Sequence, residues 1–170
     1  MALDFATVYD QEVGHVYGFF AYRLANRLDA EDLTQVTFER ALKAWPRYDP
    51  RRSAPATWLL AIARNILIDT YRGDRSRQQV SLDADETLEN RLPPVEQPEI
   101  QEGMAPELVA ALDRLTDRDR EILAFRFGAD LNGPQIAEIT GLTLANVQQI
   151  LSRSLRRLRE ELDAQGFARD

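Results

Sequence analysis

Hydrophobic residues recur three and four positions apart through most of this chain, and that spacing predicts helices. Phe5, Val8, Tyr9, Val13, Val16, Tyr17, Phe20 and Leu24 share one face of a first helix with an aromatic-rich buried side. Phe38, Ala41, Leu42 and Trp45 mark the buried side of a second, from about Ala30 to Trp45. Asp29 can cap it, and Glu31 and Asp32 suit the positive end of its dipole. The stretch from Pro46 to Pro55 breaks the pattern with three prolines. A third helix then runs from about Ala56 to Arg72. It is apolar around most of its girth (Trp58, Leu59, Leu60, Ile62, Ala63, Ile66, Leu67, Ile68), as the central helix of a small domain should be.

The pattern resumes near the carboxyl end with Glu107–Leu115 and Asp117–Phe127, separated by Thr116. Thr116 with Asp119 three residues on resembles a capping box. Gly128 closes that helix. Pro134 suits the first turn of the next, Gly141 can take the left-handed conformation that ends it, and Thr143 can cap the last. On that last helix Val147, Leu151, Leu155, Leu158 and Leu162 form the expected buried seam. With no stretch of strand-like alternation and no internal repeat, the fold class is all-α.

Charge divides the chain further. The net charge is −7, but residues 78–105 alone hold Asp83, Asp85, Glu86, Glu89, Glu96, Glu99 and Glu102 against Arg91. That segment also carries Pro93, Pro94 and Pro98 with few large apolar residues, so it reads as an extended acidic linker. Two small helical domains follow, 1–77 and 106–170, joined by 78–105. Each is near charge balance, with 11 basic and 10 acidic residues before the linker and 9 and 11 after it.

Composition removes several kinds of chemistry. There is no cysteine, and the one histidine, His15, sits among Val13, Val16, Tyr17 and Phe19. A partly buried helix residue is the simpler reading of it than a catalytic base. No glycine-rich phosphate loop and no carboxylate cluster at metal-ligand spacing stands out, so neither an enzyme nor a cofactor or metal is expected. No apolar run approaches the roughly 20 residues of a membrane crossing. The amino terminus, with Asp4, Asp10 and Glu12, does not read as a signal peptide. A cytoplasmic location is the expectation.

What remains is surface. Two helices joined by a tight Gly141 turn, the second basic with Arg153, Arg156, Arg157 and Arg159, read as a helix-turn-helix placed in a DNA groove. Asn146 and Gln149 near the start of the last helix would meet base edges, and Arg153 and Arg156 further along would hold phosphates. On the second helix Asp32, Gln35, Val36, Glu39, Arg40 and Lys43 share a stripe, and apolar Val36 within it suits protein docking. The loop residues Arg47, Tyr48, Arg51 and Arg52 could clamp an unpaired base. Asn65, Asp69 and Arg72 lie on one stripe of the third helix, where Asp69 and Arg72 could equally pair with each other.

These segments carry a resemblance. Asp29-Ala30-Glu31-Asp32-Leu33-Thr34-Gln35, with Phe38-Glu39-Arg40-Ala41 and Trp45, looks like the core-polymerase-binding helix of bacterial sigma factors. Thr57 through Arg72 resembles their minus-ten helix, and Ala111 through Leu123 with the helix-turn-helix is similar to their minus-thirty-five domain. Two domains and a short linker point to the extracytoplasmic-function (ECF) group. The resemblance implies that Asp32, Gln35, Val36 and Glu39 dock on core RNA polymerase. It implies that Arg47, Tyr48, Arg51, Arg52, Asn65 and Arg72 serve the minus-ten element of promoter DNA. Thr143, Asn146, Gln149, Arg153 and Arg156 would serve the minus-thirty-five element. The linker would thread toward the polymerase's active-centre cleft, and an anti-sigma protein is a further possible partner.

Three positions depart from the family pattern. Val36 stands where Glu is usual, and Gln148 and Ile150 stand where the recognition helix usually carries cations. An autonomous helix-turn-helix regulator is the alternative reading. It has no need of the helices ending at Trp45 and Arg72. A protein that only titrates partners is a third.

Overall fold

The computed structural model describes residues 3–81 and 105–166, and of residues 74–81 the helical backbone alone. Most of the acidic segment therefore lies outside the described residues. The described chain is helical, in the order α1 (Phe5–Arg23), α2 (Arg27–Ala44), α3 (Pro55–Ser81), α4 (Pro106–Asp113), α5 (Asp117–Leu123), α6 (Gly133–Thr140) and α7 (Leu144–Ala164).

Local chemistry sets most of the boundaries. Asp4 caps α1 by accepting from the Ala6 N–H. The cap of α2 is Asn26, whose side chain accepts from Leu28 and Asp29, so this helix starts one turn before the Asp29 position expected of it. Asp29 lies in its first turn, where its charge still favours the dipole. α3 begins at Pro55 and continues through Ser81, past the expected end at Arg72 and past residue 77. Thr116 caps α5 through the Asp119 N–H, and Thr143 caps α7 through the Asn146 N–H. Asn132 and Gln135 form a reciprocal capping box on α6, and Gly141 ends that helix at φ 76°.

After α5 the backbone widens into a π-helical turn, Ala124–Gly128, closed by Ala129 N–H donating to the Ala124 carbonyl at 2.9 Å. The left-handed residue beyond it is Asp130, at φ 56°. Gly128 answers a different need. It crosses α1 at Gly18 so closely that a Cβ on either glycine would run into the other's carbonyl oxygen.

That crossing joins the two halves. Val8, Val16, Phe19, Phe20, Leu59, Leu60 and Leu67 of the first half form one continuous core with Ile122, Phe125, Leu131, Ile136, Val147 and Ile150 of the second. Phe19 and Phe125 stack at 4.6 Å between ring centres. A smaller cluster, Ala111, Leu112, Leu115, Leu123 and Leu158, holds α4, α5 and α7 together. Arginines cross the same boundary. Arg64 pairs with Glu121, and Arg120 donates to the Tyr22 carbonyl at 2.7 Å. Arg23 donates to the Asp117 carbonyl at 2.8 Å and lies over the Tyr71 ring, while its buried Nε has no hydrogen-bond partner. A buried guanidinium without a carboxylate is costly. The apolar packing between the halves must offset it.

Candidate nucleic-acid interface

The α2 stripe is outside, as its polarity requires. Asp32, Gln35 and Glu39 are exposed, with Gln35 donating to Glu39 at 3.4 Å. Val36 is half-buried and lines a shallow groove between α2 and α3 with Leu33, Ile66 and Thr70. Arg40 reaches across that groove to Asp69 at 3.6 Å, so Asp69 does not pair with Arg72. Leu42, expected inside, is 56% exposed. With Phe5, Tyr9, Val13, Tyr17 and Phe38 it lines an open groove of about 800 Å3 between α1 and α2, beside Gln35 and Glu39. Periodicity assigned Leu42 to the wrong side because the buried face of α2 runs through Ala30, Thr34, Thr37, Phe38 and Ala41, and Leu42 lies just past its edge.

The loop after α2 is built on aromatic rings. Trp45 stacks on Tyr48 at 5.0 Å, Trp58 tilts against Tyr48 at 4.7 Å, and the Tyr48 hydroxyl donates to the Ser53 carbonyl at 2.8 Å. Burial and the neighbouring Asp49 charge raise the Tyr48 pKa above its ordinary value. Tyr48 thus props the loop, with Trp45 stacked on one face of its ring and Trp58 tilted against it. Arg47 and Arg51 project outward from this prop with no ion pair among the described residues, and Arg52 lies 4.0 Å from Asp49. Asn65 and Arg72 are exposed on α3. Arg64, next to Asn65, points the other way into the boundary between the halves.

On α7 the seam differs from the expected one. Val147, Ile150, Ser154 and Leu158 are buried, whereas Leu155 is 45% exposed. Ile150 therefore faces the core, and a cation there would not reach DNA. Thr143, Asn146, Gln149 and Arg156 are exposed at the start and middle of the opposite face. Arg153 shares that face, but its guanidinium meets Asp119 at 2.9 Å, and Arg157 reaches the other Asp119 oxygen at 3.9 Å. Sequence reasoning missed Asp119 because its spacing from Thr116 announces only a cap. His15 is half-buried beside Glu12 at 2.9 Å, as a helix residue of ordinary role would be.

Comparison with known proteins decides between the readings. Residues 8–77 match Sigma-70 region 2, and residues 111–160 match Sigma-70 region 4. The ECF RNA polymerase sigma factor SigM of Bacillus subtilis (strain 168) is 31% identical over 152 residues, covering 89% of this chain and 91% of that protein. The chain belongs to the ECF sigma factors. Another relative, the ECF sigma factor BldN of Streptomyces coelicolor, is 30% identical over 91% of this chain, which spans 58% of that protein's length. The fold matches the sigma factor RpoE of Bartonella quintana, solved with the anti-sigma factor NepR, at a TM-score of 0.71 and 22% identity. That match covers 94% of this chain and 97% of that one. As an ECF sigma factor the chain works with core RNA polymerase in promoter-specific initiation, and the autonomous regulator is not favoured. Among the described residues no helix is long and apolar enough to cross a membrane.

Proposed function

We propose a division of labour among the exposed surfaces of this sigma factor. Asp32, Gln35 and Glu39, with Val36 and the adjacent α1–α2 groove, dock on core polymerase. Arg47, Arg51, Arg52, Asn65 and Arg72 serve the minus-ten element, Tyr48 holding their loop in shape. Thr143, Asn146, Gln149 and Arg156 serve the minus-thirty-five element. Residues 1–77 and 106–170 are then the two functional domains, a division supported by family matches at 8–77 and 111–160.

The observation that carries this reading is that both DNA-facing sets lie outside while the halves share one core. The two elements lie about 25 base pairs apart, which is about 85 Å of duplex at 3.4 Å per pair. A compact body of this size has a radius of gyration of about 15 Å. One closed body cannot read both elements, so the halves part on the promoter, and polymerase supplies the surfaces that hold them apart. The connection from Ser81 to Ala105 is long enough, at about 3.3–3.6 Å per residue, to permit that separation.

An anti-sigma factor, the class of protein solved in complex with RpoE of Bartonella quintana, is a further partner in this reading. Run-off transcription with purified core polymerase on genomic fragments tests the main reading. Specific transcripts that require both promoter elements are the expected result. Tight, specific promoter binding by the isolated chain, with no transcription alongside polymerase, would overturn it.

A further inference from the structure

The carboxylate of Asp119 has no role in the surfaces assigned so far, yet among the described residues of the second half it is the most enclosed charge, 1% exposed. Both its oxygens are engaged by α7. Arg153 Nη2 meets Oδ1 at 2.9 Å and Arg157 Nη1 meets Oδ2 at 3.9 Å. Its own N–H donates to Thr116 Oγ1 at 3.2 Å, so the backbone beneath the carboxylate is pinned as well. Arg153 and Arg157 are four residues apart and sit one above the other on α7. Between them in sequence Ser154 is fully buried, its hydroxyl without a hydrogen-bond partner among the described residues. A buried carboxylate held by two arginines of one helix face resists rotation of that helix, because turning it would leave a charge unpaired in the interior.

The remaining neighbours of Asp119 on α5 point elsewhere. Arg120 and Glu121 reach Tyr22 and Arg64 of the first half, and the Asp117 carbonyl accepts from Arg23. α5 is thus anchored on one side and grips α7 on the other. Gln149 lies one turn before Arg153 on the same face as Asn146. Whatever sets the azimuth of Arg153 also sets the azimuth of the residues that meet bases.

We infer that Asp119 is a positioning residue for promoter reading: it clamps Arg153 and Arg157 to aim the α7 face, and withdraws both cations from phosphate contact. This rests on the proposed role of α7 at the minus-thirty-five element and moves Arg153 from gripping DNA to orienting the helix. Of the α7 arginines, Arg156 and Arg159 then remain without an ion pair among the described residues and hold the backbone.

The test uses holoenzyme reconstituted from core polymerase and the full chain, with a randomised minus-thirty-five library read at several salt concentrations. A wild-type holoenzyme that selects no sequence would sink the α7 assignment itself. If the wild type does select, Asp119→Asn should reduce discrimination at the positions read by Asn146 and Gln149 by at least fivefold. It should also steepen the salt dependence, because one or two arginines become available to phosphate, each worth about one in the log–log slope. Arg153→Gln should blur selection with the slope unchanged, whereas Arg156→Gln should lower the slope by about one with selection unchanged. A purely structural Asp119 would reduce the yield of folded protein and leave both slope and selected sequence alone, and that outcome overturns the proposal. So does a slope that falls by one in Arg153→Gln. The Arg153 result stands even if Asp119→Asn fails to fold.

Discussion

The two halves of this chain dispose of their arginines differently. In the first half, Arg27, Arg40 and Arg52 meet carboxylates at the surface and Arg64 meets Glu121 of the second half, while Arg47, Arg51 and Arg72 are exposed and carry no ion pair among the described residues; none shares a buried carboxylate as Arg153 and Arg157 share Asp119. In the second, Arg114, Arg120, Arg126, Arg153 and Arg157 each meet a carboxylate, and Arg118, Arg156 and Arg159 do not. The comparison shows that counting basic residues overstates the cationic surface of the helix-turn-helix. A guanidinium already paired with a buried carboxylate gains little by releasing it for a phosphate in water, while an unpaired one displaces counterions and adds to affinity. On the proposed roles, α7 with its buried Asp119 clamp therefore relies more on aim, and the loop bearing Arg47 and Arg51 on charge.

Reversing Asp32 and Glu39 to Lys should have the largest effect. It should weaken assembly with core polymerase by about 2–5 kcal/mol while helicity is retained. Arg156→Ala should leave assembly unchanged. Equal losses in the two variants, measured by competition for labelled polymerase, would erase the distinction between the α2 docking surface and the α7 reading face.

Next comes the shared core. Gly18→Leu drives a side chain into the Gly128 backbone and should cost about 1–3 kcal/mol or more. Because the collision lies between the halves, the variant should keep its helix content while its radius of gyration in scattering increases. A single, unshifted melting transition with an unchanged radius would show that the two halves do not depend on this crossing.

Gln149→Ala should shift preference at one or two minus-thirty-five positions by about 1–3 kcal/mol, the worth of a bidentate base contact. Transcription from a randomised element measures it. An unchanged selected sequence would remove Gln149 from base reading.

The smallest effect sharpens the arginine comparison directly. Neutralising exposed Arg72 should lower the salt slope of promoter binding by about one. Neutralising Arg114, paired with Glu161 on the surface, should leave that slope alone and alter stability by about 0.2–1 kcal/mol. Matching slopes in the two variants would mean that pairing does not govern which arginines reach phosphate.

The sequence by itself determined the all-α class, the starts and stops of the last helices, and the family. Thr116, Thr143, Pro134 and Gly141 act as expected because a cap or a left-handed turn is settled within three or four residues. It also placed Asp32, Gln35, Asn65, Asn146 and Gln149 outside, since a polar side chain on a stripe opposite an apolar one has nowhere else to go. What it left undetermined depends on partners far along the chain. Asn26 displaced Asp29 as a cap: both can serve, and Asn26 takes the extended backbone and accepts from the Leu28 and Asp29 N–H groups. Ile150 replaced Leu155 in the seam because α5 and α6 both press on α7, and Asp119, 34 residues before Arg153, fixes its rotation. The closed union of the halves rests on Gly18 and Gly128, Phe19 and Phe125, and Arg64 and Glu121, pairs that no local pattern links. Periodicity states which face of a helix is buried only within the width of an apolar stripe, and tertiary packing decides where in that width the helix comes to rest.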